Sequence, residues 1–316
     1  MSWCTDVAAV TALTRVFAAE SPVGVQLGST VERMAEQADA QPTGVIRPPS
    51  TLLTAAEYRA VGERVQFSAL QPLLRRLPRG DGHGVLVFPG FMASDRSTSA
   101  LRDLLKHLGY RTYGWGLGQN IGPTSDVATG LTERLLYVAE RSRGQVSLIG
   151  WSLGGIYARE LVRARPDLAR LVITLGSPIQ MAEGDRSSAQ TVWELMQRFH
   201  VEDFMSDRLR EVDRPPFPVP ATSIYSTSDG IVTWKASLLR KTPISENVRV
   251  FGSHCGLGHN AAAVSVIADR LAQPEGAWSE FSPPWWQRGM YPPARDLDRE
   301  LLLKIAPADS PVRRAS

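Results

Sequence analysis

The sequence predicts an α/β protein built on a mostly parallel central sheet with helices on both faces. Three observations carry this. Between residues 84 and 273, short apolar runs alternate with amphipathic helical patterns. Those runs are apolar at nearly every position, as strands covered on both sides are. The chain has 316 residues, 43% hydrophobic and 21% charged, which is enough to bury a sizeable core without staples.

Taken in order, residues 1–80 read as a helical N-terminal extension. Val7, Val10, Leu13, Val16 and Phe17 are spaced for one helical face over 5–19. A second helix is expected over 30–40, a connector at Gln41-Pro42-Thr43-Gly44 and Pro48-Pro49, and one or two helices over 54–77. Arg75, Arg76 and Arg79 read as a solvated face, with contact to an anionic lipid surface as the sharper alternative.

A catalytic-type core is expected over 81–273. Its strands are 84–89, 110–115, 145–150, 171–175, 222–225 and 248–251, and its helices 98–108, 126–141, 154–165 and 261–271. Residues 179–220 interrupt the alternation with Trp193, Phe199, Phe204 and Met205 and a proline-rich return at 215–220. A connection of that length is either a lid or cap over a ligand or a packed structural excursion. Residues 274–316 form a Pro/Trp-rich tail in which Trp285 and Trp286 are expected to pack back on the body, a partner or lipid interface being the alternative.

Lys and Arg total 35 and Asp and Glu 32, for a net charge of +3 with no basic block of five or more residues, so no nucleic-acid partner is expected. Two cysteines, Cys4 and Cys255, exclude a disulfide-dense scaffold and read as thiols in a reducing compartment. No stretch of 18 apolar residues suggests a transmembrane helix, and the first residues lack the positive start of a secretory signal. The expectation is a cytoplasmic protein. Nothing in the sequence selects an oligomeric state.

The chemistry centres on Gly150-Trp151-Ser152-Leu153-Gly154. An apolar strand enters it and a helix leaves it, the setting a nucleophile elbow requires. Such a turn crowds the backbone, which calls for small flanking residues, and it sets Ser152 at a helix N-terminus where developing negative charge is favoured. A serine nucleophile needs a base and an orienting acid. Asp229 follows the strand at 222–225 and precedes Gly230, as a loop acid should; Asp213 lies in the excursion and Glu246 precedes its strand. Of the five histidines, only His254 and His259 follow both Ser152 and Asp229; His254 is nearer the strand end and is the preferred base, with His259 as runner-up.

The oxyanion would be held by two backbone amides, that of Leu153 and one from the loop after the first strand, at Phe91 or, failing that, Met92. Asp95 and Arg96 read as helix caps in the same loop. Cys255 adjoins the base but lacks an elbow. No Cys/His grouping has metal-ligand spacing, and Gly116-Leu117-Gly118-Gln119-Asn120-Ile121-Gly122 departs from a dinucleotide fingerprint, so neither metal nor cofactor is expected.

These segments resemble the α/β-hydrolase superfamily, and within it the bacterial lipases and esterases with little or no cap, over roughly 84–273. Phe88-Pro89-Gly90-Phe91 resembles the oxyanion loop, with Pro89 where many members have histidine. Tyr113 to Asn120 resembles the segment after the next strand, 150–159 the elbow, Leu175-Gly176-Ser177-Pro178 the strand end that follows, and 225–232 the acid loop. His254-Cys255-Gly256-Leu257 is similar to the base loop of small lipases, which favours His254 over His259. The resemblance implies hydrolysis of an acyl ester, lipid-like given the apolar Phe91, Met92, Leu153 and 193–205, with transient contact to a lipid surface as a further expectation. Acyl transfer by the same triad and a non-catalytic binding protein on this fold are the alternatives.

Overall fold

The computed structural model describes residues 46–181, 185–201 and 214–297. The helices expected over 5–19 and 30–40, Cys4, Phe204 and Met205 lie outside the described residues.

Six strands form one sheet: β1 (Gly84–Phe88), β2 (Arg111–Gly114), β3 (Val146–Trp151), β4 (Ala169–Leu175), β5 (Ala221–Tyr225) and β6 (Ser245–Arg249). All neighbouring pairs are parallel, in the order β2-β1-β3-β4-β5-β6. Helices α1 (Thr51–Ala55) and α2 (Arg59–Leu74) precede the sheet. Then come α3 (Asp95–His107), α4 (Ser125–Ser142), α5 (Leu153–Ala164), α6 (Gln190–Met196) and α7 (Ala261–Ala272). Strand order, parallel pairing and the β3–Ser152–α5 turn make this the α/β-hydrolase fold.

The sheet is covered on both faces because its strands alternate two apolar sets. Val85, Val87, Ile149 and Ile173 face the side of α2, α3 and α7, packing with Phe67, Leu101, Leu105, Val264 and Ile267. Leu86, Phe88, Leu148 and Val172 face α4 and α5, packing with Leu131, Leu135, Ile156 and Leu161. Each such side chain withdrawn from water contributes roughly 1.5–3 kcal/mol. The chain runs outward from β1 to edge strand β2, then returns across β1 to β3. The strand order therefore switches direction between β1 and β3, the position at which open α/β sheets place their sites.

Two elements differ from the sequence expectation. Helix α3 begins at Asp95 and not at residue 98, with Ser94 in extended backbone before it. Strand β6 spans Ser245–Arg249 and not 248–251, so Glu246 sits inside its strand. The polar Ser-Glu-Asn start looks like a loop, but its groups are satisfied in the interior. Glu246 accepts from Thr222 Oγ1 (3.0 Å), Arg270 Nη1 (3.0 Å) and the Phe281 amide (2.7 Å), and Asn247 exchanges hydrogen bonds with the Leu239 backbone.

The tail runs along the β6 side. The Phe281 amide binds Glu246, the Tyr291 hydroxyl reaches the Ala262 carbonyl (3.2 Å), and the Arg295 amide reaches the Tyr225 hydroxyl (2.6 Å). Phe281 and Tyr291 pack edge to face. Trp285 and Trp286 do not pack back as expected: they are 79% and 59% exposed, on a short helical turn between those two anchors. Arg75, Arg76 and Arg79 are exposed. No helix among the described residues is long and apolar enough to cross a membrane.

Candidate active site

Strand β3 ends at Trp151 and α5 begins at Leu153, so Ser152 alone makes the turn. Its backbone stands at φ 53° and ψ −124°, a conformation that costs a non-glycine residue on the order of 1–3 kcal/mol. Neighbours hold it there: the Ser152 amide donates to Leu175 O (2.8 Å), and Ser152 O accepts from the Gly155 amide (2.9 Å). The flanking glycines are a steric requirement. A Cβ on Gly150 would enter the Gly155 backbone, and one on Gly154 would stand 2.6 Å from the carbonyl oxygens of Phe88 and Pro89. The Leu153 amide, first in α5, has no acceptor within its own helix.

Asp229 and His254 meet at the same end of the sheet. His254 Nδ1 lies 2.6 Å from Asp229 Oδ2, with both side chains buried. The other carboxylate oxygen of Asp229 accepts from the amides of Ile231 (2.9 Å) and Val232 (2.7 Å). An acceptor on the Nδ1 side assigns the ring proton to Nδ1 and leaves Nε2 as the basic atom. The couple is stitched to the elbow twice. Gly176, next to the residue that accepts the Ser152 amide, fits so closely that a Cβ there would lie 3.0 Å from Asp229 Oδ2 and 3.1 Å from His254 Nδ1. The Trp151 indole N–H donates to His254 O (3.0 Å).

The ring of His259 is set edge-on between Phe67 and Trp151, while His254 is the histidine that meets Asp229. Burial, and then the charge of Arg64, pull its pKa from 6.5 down to about 4.

The loop after β1 passes against Ser152: a Cβ on Gly90 would be 3.2 Å from Ser152 Cβ. Met92 has φ 60°, and its amide is already engaged by Asn120 O (2.6 Å), which leaves Phe91 as the loop's candidate donor. Asn120, fully buried, was missed as a site residue. Its side chain donates to Pro89 O (2.9 Å) and accepts from Tyr157 Oη (3.3 Å) and the Gly122 amide (3.3 Å). Asp95 does not cap its own helix; it accepts from the amides of Trp115 (2.9 Å) and Gly116 (3.0 Å), holding the loop after β2. Phe91 packs on Trp193 at 5.3 Å between ring centres, and Trp193 on His200 at 4.5 Å, so the insertion packs on the loop after β1.

The segment before the sheet also reaches the site, which the sequence reading did not foresee. Glu57 accepts from the amides of Gly230 (2.8 Å), His254 (3.0 Å) and Cys255 (2.9 Å). Arg59 donates to the carbonyls of Ser228 and Gly252, and Glu63 accepts from the Ser253 amide (2.8 Å). Burial outweighs that hydrogen bond and the charge of Arg59, and lifts the Glu63 pKa from 4.5 to about 7. A charged helix face reads as solvated, and no local spacing marks these half-buried residues as bound to distant loops.

No protein-family model matches the sequence, and no characterised protein matches it at the level of sequence. Among solved structures, lipase B of Aspergillus fumigatus is similar at 14% identity over 64% of this chain, with a TM-score of 0.49; the match spans 55% of that lipase. A mature lipase of Bacillus licheniformis is similar at 15% identity over 63% of this chain and 95% of its own, with a TM-score of 0.45. The thioesterase domain from the curacin biosynthetic pathway matches at 15% identity over 61% of this chain and 92% of its own, with a TM-score of 0.39. The fold assignment rests on strand order and the elbow, not on these distant likenesses.

Proposed function

We propose that this chain is a serine-dependent carboxylic ester hydrolase that works through an acyl-enzyme on lipid-like acyl esters. The observation that carries the reading is the strained Ser152 turn, whose amide binds Leu175, next to the Gly176 that packs against the buried Asp229–His254 couple. Ser152 Oγ attacks the ester carbonyl while His254 Nε2 takes its proton. Asp229 fixes the ring and stabilises the imidazolium. The amides of Leu153 and Phe91 hold the oxyanion, with the α5 N-terminus behind it. Collapse breaks the bond to the alkoxy group, which leaves as the alcohol with the proton from His254. Water, deprotonated by His254, then attacks the acyl-enzyme and releases the acid and free Ser152. The apolar Phe91–Trp193 wall favours an acyl chain over a polar group.

The test is a p-nitrophenyl ester series from acetate to palmitate, on the native protein and Ser152→Ala. The native protein is expected to turn over with a preferred chain length. The variant is expected to lose at least about 10³-fold in kcat. Equal rates in both would remove the serine mechanism. Ester product formed from an added alcohol at the expense of acid would mark acyl transfer.

A further inference from the structure

The reaction steps above use no residue from the segment before the sheet, yet that segment grips both loops that deliver acid and base. We propose that Glu57 is a positioning residue whose carboxylate ties the Asp229 loop to the His254 loop and so sets the pair's orientation toward Ser152. This rests on the reading of Asp229 and His254 as acid and base.

The geometry is specific. Glu57 Oε1 accepts from the amide of Gly230, directly after the acid, and from the amide of His254, the base itself; Oε2 accepts from Cys255. Both oxygens are used, and their donors come from two loops that leave adjacent strands β5 and β6. Neighbouring residues reinforce the grip. Thr54 Oγ1 donates to Gly230 O (2.7 Å), so both backbone groups of Gly230 are held from the extension. Arg59 takes the carbonyls of Ser228 and Gly252, and Glu63 takes the amide of Ser253. Carboxylates meet amides and a guanidinium meets carbonyls, each in the sense of a charge-assisted bond.

Between the loops themselves, Ser228 Oγ donates to Gly252 O (3.1 Å). Without Glu57 the imidazole keeps Asp229 and the His254 carbonyl keeps Trp151, but the amides of Gly230, His254 and Cys255 lose the acceptor that joins the two loops. A shift of about 1 Å in such a group can cost roughly 100-fold in rate. Glu57 lies on neither the oxyanion loop nor the acyl wall, so the loss belongs in the chemical step and not in substrate binding.

The experiment compares native protein, Glu57→Ala and Glu57→Gln by ester kinetics and by the rate and final extent of labelling with a fluorophosphonate. If Glu57 positions the pair, all three label to full occupancy. Labelling rate and kcat then fall roughly 100-fold in the alanine variant and about tenfold in the glutamine variant, with KM near native. Were Glu57 only a stabilising residue, the labelled fraction would fall while the rate per labelled site stayed native. That result, or a Glu57→Gln rate within about threefold of native, overturns the proposal. Should Glu57→Ala fail to fold, Glu57→Gln decides by the same criterion. A native protein that neither labels nor hydrolyses would instead remove the hydrolase reading on which this one stands.

Discussion

Ser147 lies within β3 and Ser152 just past its end, and the contrast between them separates residue type from role. Ser147 also faces a histidine: its Oγ is 2.8 Å from His83 Nε2, and His83 Nδ1 is 2.5 Å from Asp81. That array has the right types in the right order of contact. Yet Ser147 is wholly buried within β3, and Arg170 engages both Asp81 and His83. Only Ser152 has the turn that lifts a hydroxyl out of the sheet. Asn120 should matter through the oxyanion loop: Asn120→Ala strands the buried Pro89 carbonyl, and kcat/KM should fall by about tenfold or more in ester kinetics. His259 makes a stability prediction. Its pKa is lower in the folded chain, so protons bind the unfolded chain first as pH falls from 6.5 toward 4. Stability should therefore drop across that window by up to about 3 kcal/mol. His259→Leu should flatten that part of a melting-temperature profile taken from pH 7 to pH 4. Asp229 and His254 were legible because each follows a strand end. Asn120 and Glu57 were not, because their partners lie far away in the chain and no spacing encodes them.

Among the elements, α2 is a largely exposed helix that still carries one buried carboxylate. Phe67 and Leu74 dock it on α7's side of the core, while Glu63 faces the base loop. The Glu63 pKa is higher in the folded chain, so its stabilising share is present below pH 4.5 and is lost as pH rises through about 7. Removing the charge should remove the loss. Glu63→Gln should melt higher than native at pH 8, by up to about 3 kcal/mol, and little differently at pH 4. Equal differences at both pH values would contradict burial of the charge as the cause. Strand β6 escaped correct placement for a related reason. Its Glu246 and Asn247 look solvent-facing until Thr222, Arg270, Leu239 and the tail supply their partners. Strands β1, β3 and β4 were readable because most of their buried residues are apolar.

At the scale of the molecule, the strand order explains why the site lies where it does. The order switches between β1 and β3, the β1 loop packs against the elbow there, and β5 and β6 bring Asp229 and His254 from one side. Alternating strands and helices made this sheet legible from sequence. What stayed illegible is what wraps it: the extension that holds the acid and base loops, and the tail that covers the β6 edge. Their apolar contacts, such as Phe67 and Leu74 from the extension and Phe281 and Tyr291 from the tail, are few and scattered among polar ones. The claim on which everything else depends is that Ser152 is a nucleophile activated by His254. The most direct measurement is peptide mapping of the fluorophosphonate adduct on the native protein, Ser152→Ala and His254→Ala. A single adduct on Ser152, absent from the first variant and formed far more slowly in the second, is the expected result. An adduct at another residue, no adduct, or an undiminished rate in His254→Ala would contradict it.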